Sequence, residues 1–267
     1  MVDPEGARTL VAALLPPGVG HASGISGISM QDHNQLLLTL GCFCSLPIDY
    51  MLKATAKANF QASTIRTIPI VDVKSRFAKA IILRILRLNA ITSAYRSLWE
   101  SVIDGCANEI GFTKQDIRLQ SNDTITHDWC KENIILSDYA RRQALLEIDV
   151  LIAMAFGLTL DELMNMYKLQ FHILRNQEAD TWYDANGRIV YTNNRALTGV
   201  GFDRKEFELN MKDAPAGKKF YRTIMDDTMP GGPVERTIEY VAPFDRCDRE
   251  QDYETAWKFF EEKYKEV

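Results

Sequence analysis

The chain has 267 residues, 46% hydrophobic and 25% charged, with a formal net charge of −5. That is enough apolar chain to bury a sizeable core without disulfide staples, and it excludes a low-complexity or disordered polymer. Five cysteines, an odd number, a charged opening (Met1-Val-Asp-Pro-Glu-Gly-Ala-Arg8) and no apolar run near the roughly 20 residues of a membrane span lead us to expect a cytoplasmic protein with reduced thiols.

Residues 1–73 read as mixed α and β. Arg8-Thr-Leu-Val-Ala-Ala-Leu-Leu15 suits either a buried strand or a short helix, and its length does not decide. Pro16-Pro-Gly18 ends it, and a Gly/Ser/His-rich loop follows. Asp32 is placed to cap a helix through Leu36, Leu37, Leu40 and Phe43. Pro47 starts or kinks the next helical piece, Ser45 to Lys53. Ser63 to Ile70, rich in Thr and Ile, reads as a strand stopped by Pro69.

Residues 74–180 read as helical. Ser75 can cap a long helix whose stripe is Phe77, Ile81, Ile85, Leu88, Tyr95, Trp99 and Val102. A second helix spans Ile134 to Phe156, with Gly157 as a left-handed terminator. Thr159-Leu-Asp-Glu162 is a capping box that opens a third helix through Phe171 and Leu174.

Residues 181–267 change character. Asn186-Gly187, set between aromatic and apolar residues, predicts a type I′ hairpin turn. Pro230-Gly-Gly-Pro233 is a loop, and Thr237 to Val241 a short strand. Asp252 is expected to cap a final helix carrying Tyr253, Trp257, Phe260 and Tyr264 on one side. The fold class is therefore mixed α+β, predominantly helical.

Charge is segregated. From Met51 to Leu98 the cations are Lys53, Lys57, Arg66, Lys74, Arg76, Lys79, Arg84, Arg87 and Arg96, and the acid is Asp72. Arg76, Lys79, Arg84 and Arg87 fall off the apolar stripe and are expected to face outward. The functional reading is a phosphate-contacting surface. The plainer one is a solvated helix face, or a face paired with the acidic C-terminal region.

Motifs for chemistry are absent. Adenine amino-methylation needs a polar–Pro–Pro–aromatic turn to hold the flipped base, but the Pro-Pro here reads Leu15-Pro-Pro-Gly18. No Gly-rich cofactor loop or phosphate-binding P-loop is present. Glu147 and Asp149 fall in an apolar helix and read as structural. Cys42-Phe-Cys44 has the wrong spacing for a zinc knuckle, and His127-Asp-Trp-Cys130 is a lone cluster.

As a set, several stretches resemble the C-terminal part of the large single-polypeptide DNA adenine methyltransferases of restriction–modification and phage-defence systems. Ser45 to Lys53 and Asn59 to Ile70 resemble the end of a target-recognition domain. Leu83 to Trp99, Arg141 to Asp149 and Gly157 to Leu163 resemble the helices that follow it. Asp180-Thr-Trp-Tyr-Asp-Ala-Asn-Gly-Arg-Ile-Val190 and Gly231-Gly-Pro-Val-Glu-Arg-Thr-Ile238 resemble the tail.

The resemblance implies a partial target-recognition domain (1–73), a helical region (74–180) and an acidic tail (181–267). It implies double-stranded DNA as partner, together with a catalytic methyltransferase chain. S-adenosylmethionine is expected in that catalytic part and no cofactor in this chain. Under this reading the chain is a truncated or separately encoded piece. Candidate DNA contacts are Lys53, Lys57, Asn59, Gln61, Arg66, Arg76, Lys79, Arg84 and Arg87, with His21, Ser23, Ser26 and Ser29 as further polar loop groups. Arg suits guanine, and Asn or Gln suits adenine. Trp182, Tyr183 and Tyr191 suit either base stacking or the hairpin's own core. The alternative is a protein–protein interaction module, or a gene fragment without a DNA role.

Overall fold

The computed structural model describes residues 6–20, 24–55, 62–109, 111–121, 125–193, 200–228 and 231–265. Over these the fold is mixed α and β, with ten α-helices and two small antiparallel sheets. The helices are α1 (His33–Cys44), α2 (Leu46–Ala54), α3 (Ala62–Ile65), α4 (Ala78–Asn89), α5 (Arg96–Val102), α6 (Asp138–Ala155), α7 (Leu160–Gln170), α8 (His172–Ala179), α9 (Arg204–Asn210) and α10 (Arg249–Lys263). The strands are β1 (Thr181–Tyr183), β2 (Ile189–Thr192), β3 (Lys219–Asp226), β4 (Val234–Val241) and β5 (Asp245–Arg246).

Helix α6 is the centre of the body. Leu146, Ile148, Val150, Leu151, Ile152 and Ala153 are all fully buried, and so are the polar Gln143, Glu147 and Asp149 on the same helix, so α6 is covered on nearly every side. Helices α1, α4, α7 and α10 pack around it, and α2 packs on α7. Each fully buried large apolar side chain contributes roughly 1.5–3 kcal/mol. Residues from all three segments of the chain share this core, because α10 returns to it with Tyr253, Ala256 and Phe260. No single described helix is long and apolar enough to cross a membrane. The apolar pair α1 and α2, bent by 60°, turns its buried side chains into this same core.

Close helix packing has a sequence cause at Gly41. A Cβ there would lie 2.6 Å from Ile81 Cγ2, and Ile81 is fully buried on α4. Gly41→Ala is therefore expected to cost about 1–3 kcal/mol through overpacking, despite Ala's better helix propensity. A urea-unfolding midpoint equal to or above wild type would contradict this.

A second, smaller core holds Val190, Tyr191, Phe207, Met211, Ile238, Tyr240, Ala242 and Phe244. It is built by the sheet β2-β1-β5, the ribbon β3-β4 and α9. The first turn of α6 meets the β1–β2 hairpin: Tyr139 N–H donates to Gly187 O at 2.9 Å, and Ile189 N–H to Asp138 Oδ2 at 3.1 Å. Gly187 has φ +81°, and a Cβ there would sit 3.1 Å from Tyr139 Cβ. Buried Asp184 accepts from Asn186, Arg188 and Val241 N–H at 2.9, 2.8 and 3.1 Å. One carboxylate thus holds the hairpin loop against β4.

Several local expectations hold. Asp32 caps α1, Gly157 is left-handed at φ +73°, and Thr159 with Glu162 forms a reciprocal capping box on α7. Others are corrected. Arg8 to Leu15 is neither helix nor regular strand; the Thr9 and Leu10 amides are held by the Asp49 carboxylate instead. Ser63 to Ile70 is not a strand but α3 and a turn, with Thr67 Oγ1 donating back to Thr64 O at 2.8 Å.

The long helix from Ser75 is broken at Ala90, whose carbonyl accepts from Trp129 Nε1 at 2.8 Å, and Ser75 lies outside the first turn of α4. The Ile134–Phe156 helix begins at Asp138 behind the Ser137 cap, with Ile134 and Ile135 buried ahead of it. The third helix stops at Phe171, whose ψ of 43° separates α7 from α8. Asn186-Gly187 is not a type I′ turn. Gly187 N–H bonds Asp184 O, and Asp184 N–H bonds Arg188 O: a three-residue loop with glycine in the left-handed position. Asp248, not Asp252, caps α10.

Candidate nucleic-acid interface

Of the nine cations between Met51 and Leu98, those that reach solvent are decided by packing. Arg66, Lys74, Arg76, Lys79 and Arg96 are exposed. Arg76 Nη1 also donates to Tyr264 O at 2.9 Å, while Phe77 packs edge-on against the Tyr264 ring at 5.0 Å. The C-terminal end of α10 is thereby tied to the chain entering α4. Lys53 is half-buried; its Nζ donates to Gly6 O at 3.2 Å and lies 5.6 Å from the Phe171 ring centre. Lys57, Asn59 and Gln61 lie outside the described residues, as do His21 and Ser23. Ser26 and Ser29 are exposed.

Arg84 and Arg87 overturn the outward placement expected of them. Arg84 is 4% exposed and Arg87 3%. Arg84 binds Glu147 at 2.8 Å and donates to Ala80 O at 3.1 Å and Gly111 O at 2.6 Å. Arg87 donates to Asn133 O at 2.9 Å, and burial, followed by the nearby Arg84 charge, pulls its pKa down to about 10. Both guanidiniums are spent inside the protein. The reason is that α4 is covered on both sides, by α1 and α6 and by the loop through Gly111 and Asn133. The Arg84 and Arg87 positions therefore meet protein carbonyls and a carboxylate rather than water, while Lys79 near the start of the helix stays exposed.

The same burial organises a second network. Asp149, 1% exposed, accepts from Leu46 N–H at 2.7 Å, Tyr253 OH at 2.7 Å and Arg249 Nη1 at 3.0 Å. Arg249 also binds Glu178 at 2.6 Å, and Arg142 bridges Glu178 and Asp252 at 3.0 and 2.6 Å. Burial pushes the Glu178 carboxyl up, but Arg249 and Arg142 outweigh it and hold its pKa at about 2. Asp49 is raised, burial exceeding the opposing pull of Arg8 and the Leu10 and Thr9 amides. The reading of Glu147 and Asp149 as structural carboxylates agrees with these contacts.

A cleft of about 760 Å³ opens between α8, the β1–β5 edge and the start of α10. Trp182, Arg175, Arg246, Glu178 and Asp245 are among its lining residues. Two of its carboxylates are paired with arginines: Glu178 with Arg142 and Arg249, and Asp245 with Arg118 at 2.6 Å. The sequence reading missed this cleft, since its walls come from stretches some seventy residues apart.

Of the hairpin aromatics, Tyr183 and Tyr191 are buried in the core, and Trp182 is half-buried against it. Tyr191 stacks on Phe207 at 5.5 Å, Trp182 lies 5.2 Å from Phe207, and Tyr183 meets Tyr139 edge-on at 5.5 Å. Among the described residues no group of three or more His, Cys, Asp or Glu is placed to hold a metal. Burial pushes the Cys42 and Cys44 thiols up to about 11, so both stay protonated and unreactive at neutral pH. His127 instead pairs with Asp104 at 3.0 Å. Leu15-Pro-Pro-Gly18 is a mostly exposed turn with no polar or aromatic side chain to hold an adenine. Comparison with protein families, characterised proteins and solved structures returned no match.

Proposed function

We propose that this chain is a DNA-recognition and scaffold region of a site-specific adenine DNA methyltransferase system, of the restriction–modification or phage-defence kind. It acts on duplex DNA beside a catalytic methyltransferase chain that binds S-adenosylmethionine. One observation carries the reading: Arg66, Lys74, Arg76, Lys79 and Arg96 reach solvent from a single stretch of chain with one acid, Asp72. The helical body around α6 is the scaffold that presents them. This reading uses fewer cations than the sequence offers, because Arg84 and Arg87 are consumed internally.

Duplex binding by the full chain, measured by fluorescence anisotropy across a salt series, tests it. Five phosphate contacts give a slope of log K against log salt of about −4 to −5. Arg76→Ala with Lys79→Ala is expected to flatten that slope by about 2. Binding no stronger than that of a neutral control protein, or a slope the double variant leaves unchanged, would refute the reading. A second reading, a protein–protein interaction module, is favoured by one feature of the smaller core: among the described residues, the ribbon β3-β4 has no third strand.

A further inference from the structure

The ribbon's two outer edges differ in a way that points to a partner. Strands β3 and β4 pair antiparallel with Lys219 opposite Val241, Tyr221 opposite Glu239, Thr223 opposite Thr237 and Met225 opposite Glu235. Ala242 N–H donates to Lys218 O across the ribbon, whereas Val241 O accepts from Ala185 N–H on the far side. Antiparallel ladders alternate strictly. Lys219, Tyr221, Thr223 and Met225 therefore turn their N–H and C=O groups away from β4, and Glu235, Thr237 and Glu239 turn theirs away from β3. The outward backbone groups of Tyr221, Thr223 and Met225 have no partner among the described residues.

Edge β4 is defended. One end is occupied, since Val241 N–H is held by Asp184 and its carbonyl by Ala185. Two copies pairing along β4 about Thr237 would set Glu235 opposite the partner's Glu239, a like-charge clash. Edge β3 lacks such protection. Its outward residues are Tyr221 and Met225, 58% and 62% exposed, with Thr223 between them.

We infer that edge β3 pairs antiparallel with edge β3 of a second copy of this chain, making a four-stranded sheet across a two-fold axis at Thr223. The register is self-complementary on the exposed face. Thr223 meets the partner's Thr223, Tyr221 meets the partner's Met225, and Lys219 meets the partner's Asp227. Each outward-facing pair within the strands exchanges both N–H···O=C bonds. On the other face Arg222 lies diagonal to the partner's Asp226. Moving the axis one residue to Arg222 would oppose two guanidiniums, which disfavours that register. Strand ribbons this short are marginal alone and gain from added strands.

The test is sedimentation equilibrium of the full chain without DNA, so that its outcome is independent of the DNA reading. Wild type is expected to reach twice the monomer mass as concentration rises. Thr223→Pro removes an N–H that the β3–β4 ladder does not use. It should weaken dimerisation at least tenfold with the circular dichroism spectrum unchanged. Tyr221→Lys with Met225→Lys, which leaves the backbone intact, should do the same should the proline variant misfold. Thr223→Cys should cross-link between copies under oxidation, and Thr237→Cys should not. A monomer at every concentration, a dimer indifferent to the Tyr221/Met225 change, or cross-linking through Thr237 instead would overturn the inference.

Discussion

Asp149→Ala is expected to remove about 3 kcal/mol or more of folding stability, a large share of the total for a domain of ordinary stability. The carboxylate is the joint at which three helices meet. It accepts from the first amide of α2, from Tyr253 on α10 and from Arg249 beside it, at 2.7, 2.7 and 3.0 Å. Truncation strands a buried amide and a buried hydroxyl, each costing about 1–3 kcal/mol when left unsatisfied. Arg249 retains Glu178, which keeps the penalty from rising to that of a wholly unpaired buried guanidinium. Asp149→Asn preserves the volume and one acceptor and should cost distinctly less. Urea unfolding followed by circular dichroism reads both. A loss below about 1 kcal/mol for the alanine variant would contradict this account of the joint.

Glu147→Ala is expected to destabilise by about 3–5 kcal/mol, because it leaves Arg84 charged in the core. Glu147 is fully buried. It serves Arg84 at 2.8 Å, Thr113 N–H and Oγ1 at 2.8 and 2.7 Å, and Gln143 Nε2 at 2.9 Å. It therefore fixes the loop after Gly111 to α6. Arg84→Met alone leaves an unpaired carboxylate and should cost a comparable amount. With Glu147→Gln added, the double variant should cost less than the sum of the two by roughly 1–3 kcal/mol, the signature of direct coupling. Strict additivity would show that the pair does not interact as the structure has it. Arg84 and Arg87 changes accordingly report on folding, so DNA-binding losses in such variants count only where the protein remains folded.

Local chemistry was readable in the chain. Asp32 and Thr159-Leu-Asp-Glu162 announced helix starts because a cap bonds amides two or three residues on. Gly157 announced an end because its left-handed φ is a property of the residue itself. The apolar runs around Ile81 and Ile148 located the core helices. Asp252 misled because an acid near the start of a helix resembles a cap. Its carboxylate instead binds Lys114 and Arg142, each at more than a hundred residues' separation. Strand β3 was missed for a related reason. Lys-Phe-Tyr-Arg-Thr-Ile-Met-Asp does not alternate cleanly between apolar and polar, since its outward face carries Tyr221 and Met225 in the open.

The candidate interface was legible only in part. Sequence showed where positive charge accumulates but not which charges are spent. By itself it determined the helical character of the body, several of its caps and left-handed turns, and the crowding of cations between Met51 and Leu98. The tertiary structure alone decided that α4 ends where Trp129 claims the Ala90 carbonyl, and that Ser63 to Ile70 folds as α3 and a turn. It alone turned Arg84 inward to Glu147, sixty-three residues away, while Lys79 on the same helix stayed in water. The physical reason is range: caps and turns are satisfied within a few residues, whereas a buried charge takes its partner from whatever chain folding brings beside it.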